Sequence, residues 1–278
     1  MDAPPPQEDC GRFVRIAAAL LAVGLNVPRV LAQDLQRGFL LLSDLGVEPY
    51  LNNLNDASAD RLYGDAMVAL LRLQRHDGSA TSLPSYDEAL LLREVTIFRE
   101  WFVERHLGHV LTARDEQVLV NAFRYLVNTA LEQPRVWVHR DFHSRNLMVT
   151  PRDNPGVLDF QDAVVGPITY DLVSLLRDCY IRWPSERVRS WAVQYWQQAR
   201  ALPVYAGVSE AQFLRWFDFM GAQRHIKAIG IFARLNHRDG KPGYLGDIPR
   251  TLAYVMEVAE RYDELRPLRH WLAEHVRT

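Results

Sequence analysis

Lysine is almost absent from this chain. Of its 32 Lys and Arg residues, only Lys227 and Lys241 are lysines, so any role that needs an ammonium group has two candidates. Cysteine is equally scarce: Cys10 and Cys179 stand alone, which excludes a disulfide framework and a cysteine metal site. Long apolar runs are missing too. The stretch Ile16 to Leu25 falls well short of the ~20 residues a membrane helix needs. Positive charge is missing ahead of that stretch, where Asp2, Glu8 and Asp9 sit, so a signal peptide is not expected. A net charge of -2 argues against a general nucleic-acid binder. These absences predict a cytoplasmic protein without membrane or nucleic-acid partners, and no protein partner is inferred.

What remains is 278 residues, 48% of them hydrophobic, enough for one large domain or two lobes sharing a cleft. Phe13, Ile16, Ala17, Leu20 and Leu21 recur at helical spacing, with Gly24 placed to stop the helix. Two β-type runs, 27–32 and 38–42, are joined by the polar stretch 33–37 and read as a hairpin. Ser43-Asp44-Leu45-Gly46 then reads as a break between lobes. Helical stripes follow: Leu62, Ala66, Met67, Leu70 and Leu73; Leu91, Val95, Phe98, Trp101 and Phe102; Val118, Ala122, Tyr125, Leu126 and Thr129. Short β-type runs interrupt at 136–138, 147–149 and 157–158, and helices resume at Tyr170. Ser209 with Gln212 reads as a capping box opening a long helix whose aromatic stripe, Phe213, Trp216, Phe217 and Met220, is expected in the core.

The chemistry concentrates in the β-rich interlude. His139-Arg140-Asp141 is followed five residues after the aspartate by Asn146, and thirteen residues further on by Asp159-Phe160. That spacing is the catalytic-loop and metal-aspartate pattern of phosphoryl transfer. Such a reaction needs a carboxylate within reach of the attacking hydroxyl, which Asp141 would supply as base. It also needs hard oxygen ligands for Mg²⁺, which Asn146 and Asp159 would supply. The runs 147–149 and 157–158 are expected to pair and return Asp159 to the side of Asn146. His139 is expected to hold the loop by hydrogen bonding, and His143 to lie nearer substrate or phosphate. Crowding on alternate residues makes a zinc site of His139, Asp141 and His143 a poor reading.

Protein kinases carry a long activation segment ending in Ala-Pro-Glu. None occurs here, and Gly166-Pro167-Ile168-Thr169-Tyr170-Asp171 arrives within twelve residues of Asp159, leaving no room to dock a peptide. On these motifs the sequence resembles the aminoglycoside phosphotransferase/choline kinase superfamily, over essentially the whole chain. It is most similar to the bacterial anomeric kinases for N-acetylmuramate and N-acetylglucosamine of peptidoglycan recycling. Met1-Asp2-Ala3-Pro4-Pro5, Phe39 to Gly46, His139 to Asn146, Leu158 to Ala163, Gly166 to Tyr180 and Gly230 to Leu235 carry that likeness.

The resemblance implies an α+β, bilobal protein-kinase-like fold: residues 1–45 as a partial N-lobe with hinge, 46–278 as a mostly helical C-lobe with catalytic loop and acceptor site. It implies ATP and Mg²⁺, with a small-molecule sugar as the partner. It further implies that the backbone of Ser43, Asp44 and Leu45 reads adenine and that Asp171 anchors the catalytic loop. Gln161 could reach an acceptor hydroxyl, and Arg177 could serve either substrate or structure. Arg224, His225 and Lys227 could meet a sugar carboxylate, with a solvated basic face as the alternative. Residues 1–8 contain neither the glycine-rich loop nor the strand lysine of such folds, so the N-terminal β lobe is expected to be truncated. A kinase for another small alcohol, or a non-catalytic binding module on the same fold, stays open on these residues.

Overall fold

The computed structural model describes residues 1–2, 10–75 and 83–276. Most of the Met1 to Pro5 likeness, and the segment ahead of the first helix, lie outside those residues. The chain groups into two compact units, each discontinuous in sequence. The first is Met1–Ser85, Arg135–Asp178 and Ser190–Gly207; the second is Tyr86–Pro134, Cys179–Arg189 and Val208–Thr278. The expected lobe boundary at 45/46 falls inside the first unit. No helix among the described residues is long and apolar enough to cross a membrane.

In the first unit, α1 (Cys10–Ala22) buries Phe13, Ile16, Ala17 and Leu20, and the chain leaves it through Gly24 at φ 82°. Strands β1 (Val30–Asp34) and β2 (Phe39–Leu42) form the expected antiparallel hairpin. Asp2 bridges Phe39 on the other side of β2, where the Met1 ammonium donates to the Leu40 carbonyl at 2.9 Å. After a short α2 (Tyr50–Asn53), α3 (Ala59–Gln74) buries the whole predicted stripe. Further on, β3 (Arg135–Val138) pairs antiparallel with β6 (Val164–Pro167), and β4 (Leu147–Met148) with β5 (Gly156–Val157). Strand β6 has no counterpart in the sequence reading. The helix α6 (Tyr170–Leu176) is buried along its full length.

The short β4–β5 ribbon is extended by the chain around it. The Val157 N–H donates to the Asn26 carbonyl at 2.7 Å, and the Val149 N–H to that of Glu48 at 2.8 Å. These outside partners matter, because a two-residue ribbon alone satisfies few of its own backbone groups.

In the second unit, α4 (Glu88–Ile97) runs on as a π-helical segment, Phe98–His106, and α5 (Ala113–Leu131) follows. The predicted stripe through Phe98 and Phe102 is thus a helix of two pitches. The 30-residue α8 (Glu210–Asp239) opens at Ser209, whose side chain accepts the Gln212 N–H, and buries Phe213, Trp216, Phe217 and Met220 as expected. Helices α9 (Ile248–Arg261) and α10 (Arg266–His275) complete the core. The remaining helix, α7 (Ser185–Ala199), belongs to neither unit alone.

Gly230 is where α8 meets the junction of α4 and the π-helical segment. A Cβ there would lie 2.5 Å from the Phe98 nitrogen and 2.6 Å from the Ile97 carbonyl carbon, both backbone atoms that cannot swing aside. Gly230→Ala should therefore force the helices apart and cost roughly 1–3 kcal/mol, the range for overpacked cores. Urea unfolding followed by circular dichroism reads that loss. An unchanged midpoint would show that this crossing is looser than described.

Candidate functional site

Strand β3 delivers the chain to His139 and then to Arg140, which adopts φ 76°. A left-handed conformation at a side-chain-bearing residue is strained and persists only where its surroundings enforce it. Here the enforcing group is Asp171, in the first turn of α6. Its Oδ2 accepts the His139 N–H at 2.7 Å and its Oδ1 the Arg140 N–H at 3.0 Å. Asp171 is fully buried, and two N–H donors, one on each oxygen, fix its carboxylate.

The loop beyond is bonded at nearly every step. Asp141 donates its N–H to His139 Nδ1 at 3.2 Å, and the Asp141 carbonyl accepts the His143 N–H at 3.0 Å. Ser144 donates both its N–H and its hydroxyl to the buried Asp178. The Asn146 Nδ2 then spans two groups, reaching the Asp141 carbonyl at 3.1 Å and Asp159 Oδ2 at 3.2 Å. Asp141, Asn146 and Asp159 therefore converge as their spacing predicts, and the β4–β5 pairing is what returns Asp159. Asp159 is itself left-handed at φ 63°, and the next side chain, Phe160, is fully buried against Phe13 of α1 with ring centroids 4.7 Å apart.

Gln161 lies against Asp159. Its Nε2 donates to Asp159 Oδ1 at 2.6 Å, so both oxygens of Asp159 face an amide. His139 is buried, and burial pulls its imidazole down to about 4 against the opposing charges of Asp141 and Asp159. A neutral ring can accept from the Asp141 N–H through Nδ1.

The hinge stretch is partly committed. The Ser43 N–H donates to the Arg29 carbonyl at 2.9 Å, and its hydroxyl accepts the Arg29 N–H. Asp44 Oδ1 accepts the Gly46 N–H at 2.8 Å, leaving Leu45 to pack against Gly156 of β5. Arg177 caps α6 and is buried. Arg224 lies in the second unit, buried on α8, with its guanidinium 3.7 Å from Cys179 Sγ. The basic cluster is not a solvated face: His225 is fully buried and stacks on Tyr254, and Lys227 pairs with the buried Glu94 at 2.9 Å. Helical spacing predicted neither pairing, because both partners come from distant segments.

Residues 1–211 match the APH family, the phosphotransferase enzyme family. The chain belongs to that family. Two curated relatives are N-acetylmuramate/N-acetylglucosamine kinases. The one from Pseudomonas putida is 52% identical over 275 residues, covering 99% of this chain and 80% of the relative. The one from Pseudomonas aeruginosa is 50% identical over 273 residues, covering 98% and 80%. Among solved structures, the choline kinase of Cryptosporidium parvum matches with a TM-score of 0.61 at 12% identity, covering 96% of this chain and 83% of that one. The aminoglycoside phosphotransferase APH(2")-IIa, solved with gentamicin, matches with a TM-score of 0.59 at 15% identity, covering 89% and 83%. At such identities these two establish the phosphotransferase fold, the protein-kinase-like architecture expected from the motifs.

The depressed His139 imidazole has a measurable consequence for this phosphotransferase. The unfolded chain binds a proton at His139 near pH 6.5, the folded chain only near pH 4. Stability is therefore unaffected by this residue above pH 6.5 and falls as pH drops from there toward 4, by up to about 3 kcal/mol. Denaturant unfolding at pH 7.5 and pH 5 should show a smaller pH difference for His139→Asn, whose Oδ1 can still accept the Asp141 N–H. Equal differences in both proteins would mean the ring is protonated inside the fold.

Proposed function

We propose that this chain is an ATP-dependent sugar kinase of peptidoglycan recycling, which phosphorylates the anomeric hydroxyl of N-acetylmuramate or N-acetylglucosamine. The observation that carries the acceptor is the likeness to two kinases of that specificity, at 50% identity or more over nearly the whole chain. The residue chemistry supports the reaction class. An anomeric hydroxyl is a hemiacetal, more acidic than an ordinary alcohol, so a carboxylate is base enough to take its proton as the bond to phosphorus forms.

In this reading Asp141 accepts that proton. Its position is fixed through its own backbone, by His139 Nδ1 on one side and the Asn146 amide on the other. The Asn146 and Asp159 side chains would hold Mg²⁺, since they lie side by side and carry the hard amide and carboxylate oxygens that ion prefers. An ion held by these residues would supply charge neutralisation at the phosphates. Gln161 orients Asp159 through its Oδ1. The Ser43 to Leu45 backbone reads the adenine, chiefly through Leu45, because the Ser43 N–H is already bonded. His143, carried on the same loop, lies on the substrate side, and Arg177 braces the loop from the end of α6.

Asp141→Asn keeps the shape and removes the proton acceptor, so turnover should fall by about 10²–10⁴-fold while thermal melting stays unchanged. A variant that turns over near the normal rate would exclude Asp141 as the base. The acceptor is tested separately by phosphorus NMR of the product formed with each sugar. A phosphate coupled to the anomeric proton is expected. Phosphorylation at C6, transfer to choline or an aminoglycoside instead, or no ATP turnover with any acceptor would each defeat the sugar 1-kinase reading.

A further inference from the structure

Among the described residues, one group of three metal-ligating side chains lies together: His109, Asp115 and His275, whose donor atoms all fall within 4.8 Å of one another. All three belong to the second unit and take no part in the chemistry proposed above. They come from separate segments: the turn before α5, the first turn of α5, and the last residue of α10. We propose that they form a binding site for a first-row divalent transition metal of the Zn²⁺ class, with two imidazoles and one carboxylate as protein ligands and water completing the shell.

The donor set and its geometry favour this class of ion. Imidazole nitrogen with carboxylate oxygen suits zinc and its neighbours, whereas Mg²⁺ and Ca²⁺ take oxygen alone. Bonds of ~2.0–2.1 Å in a tetrahedron place neighbouring ligand atoms about 3.3 Å apart. His109 Nε2 and Asp115 Oδ2 already stand 3.4 Å apart. The two imidazole rings are edge to face, with centroids at 4.5 Å, and the three donor atoms lie within 4.8 Å of one another.

The groups behind the ligands strengthen the case. Metal-bound histidines ordinarily donate their other ring N–H to a carbonyl or carboxylate, which fixes the tautomer and turns the free lone pair to the metal. His275 Nδ1 lies 2.8 Å from the Trp271 carbonyl, which leaves Nε2 as the lone pair; no described residue bonds it. The same tryptophan donates its indole N–H to Asp115 Oδ1 at 2.8 Å. Its ring stacks on His275 at 4.7 Å and meets His109 edge-on at 5.8 Å. One residue therefore orients all three ligands. Thr112 adds its N–H and hydroxyl to Asp115 Oδ2, at 2.9 and 2.7 Å, and these bonds fix the orientation of the carboxylate. Asp115 is buried, while His109 and His275 are half-buried, so the pair opens toward solvent and an ion has a route in.

An ion at this position would tie the end of α10 to the start of α5 and so clamp the last helix of the second unit. A plain structural role explains Asp115, which caps α5 reciprocally with Thr112. It does not explain why two imidazoles from distant segments bring their ring nitrogens to the neighbourhood of the same carboxylate.

The test uses the full chain, stripped with a chelator and free of nucleotide, titrated with Zn²⁺ by calorimetry at pH 7.5 and with Co²⁺ by visible absorption. The expected result is one saturable equivalent, a rise in melting temperature on adding Zn²⁺, and d–d bands of a four- or five-coordinate Co²⁺ complex. His109→Gln with His275→Gln should abolish all three and leave the metal-free melting temperature near that of the parent. Asp115 is left intact in that variant, since changing it would remove the cap as well. The two-histidine pair formed by His106 and His237, 3.3 Å apart, serves as the control. His237→Gln should bind as the parent does. No saturable equivalent in the parent, undiminished binding in the His109/His275 variant, or loss of binding in His237→Gln would each overturn the site.

Discussion

The Asp171 carboxylate, wholly buried at the start of α6, accepts the backbone N–H groups of both His139 and Arg140, and the rest of the candidate site depends on that grip. An isolated charge in such surroundings would be strongly unfavourable. Two charge-assisted bonds compensate it and hold Arg140 in a conformation its side chain would otherwise avoid. From there each constraint passes to the next: the ring of His139 takes the Asp141 N–H, the Asp141 carbonyl takes the Asn146 amide, and the Asn146 amide reaches Asp159. Asp178 supplies a parallel anchor at Ser144, two residues short of Asn146. Both anchors come from α6 and the residues directly after it. A short buried helix thus positions a loop from which it is separated by more than twenty residues and three strands.

Much of this was legible in the sequence, and the reasons differ by element. The helical stripes of α1, α3, α5 and α8 were readable because burial on one face repeats with the helix itself. The meeting of Asn146 with Asp159 was readable because a ribbon of two short strands leaves the ends of those strands side by side. Strand β6 was missed: Val164 to Pro167 contains a glycine and a proline, and its partner, β3, lies 26 residues upstream. The π-helical pitch after Ile97 leaves no mark on a hydrophobic stripe. The burial of Arg224, His225 and Lys227 was also hidden, because charge suggests solvent unless the partner is known. Glu94, from α4, is that partner for Lys227. The compact units are discontinuous for the same reason: which distant segments pack together is set by shape and pairing, not by adjacency in the chain.

Gln161 adds a local constraint beside the metal-aspartate motif. Its amide is two positions from Asp159 and closes on that carboxylate, opposite the amide of Asn146. The carboxylate is thereby held from both sides. The family likeness and the fold likeness divide the argument in a comparable way. Solved phosphotransferases at 12–15% identity share the architecture that makes such a loop possible. The Pseudomonas kinases, at half the residues identical, bear on what the loop would act upon.

The pairing of Lys227 with Glu94 has a practical side. Both side chains are largely withdrawn from solvent, at 12% and 4% exposure, and the ammonium is engaged by a carboxylate. The chain's other lysine, Lys241, is exposed just beyond the end of α8. Amine-directed chemistry on lysine side chains would therefore meet one ready target on a 32.0 kDa molecule. A fluorophore, a cross-linker or a resin attached that way would fall at a single defined point in the second unit, away from the loop that carries Asp141 in sequence by a hundred residues. Among its lysine side chains the protein thus offers one exposed labelling point, Lys241.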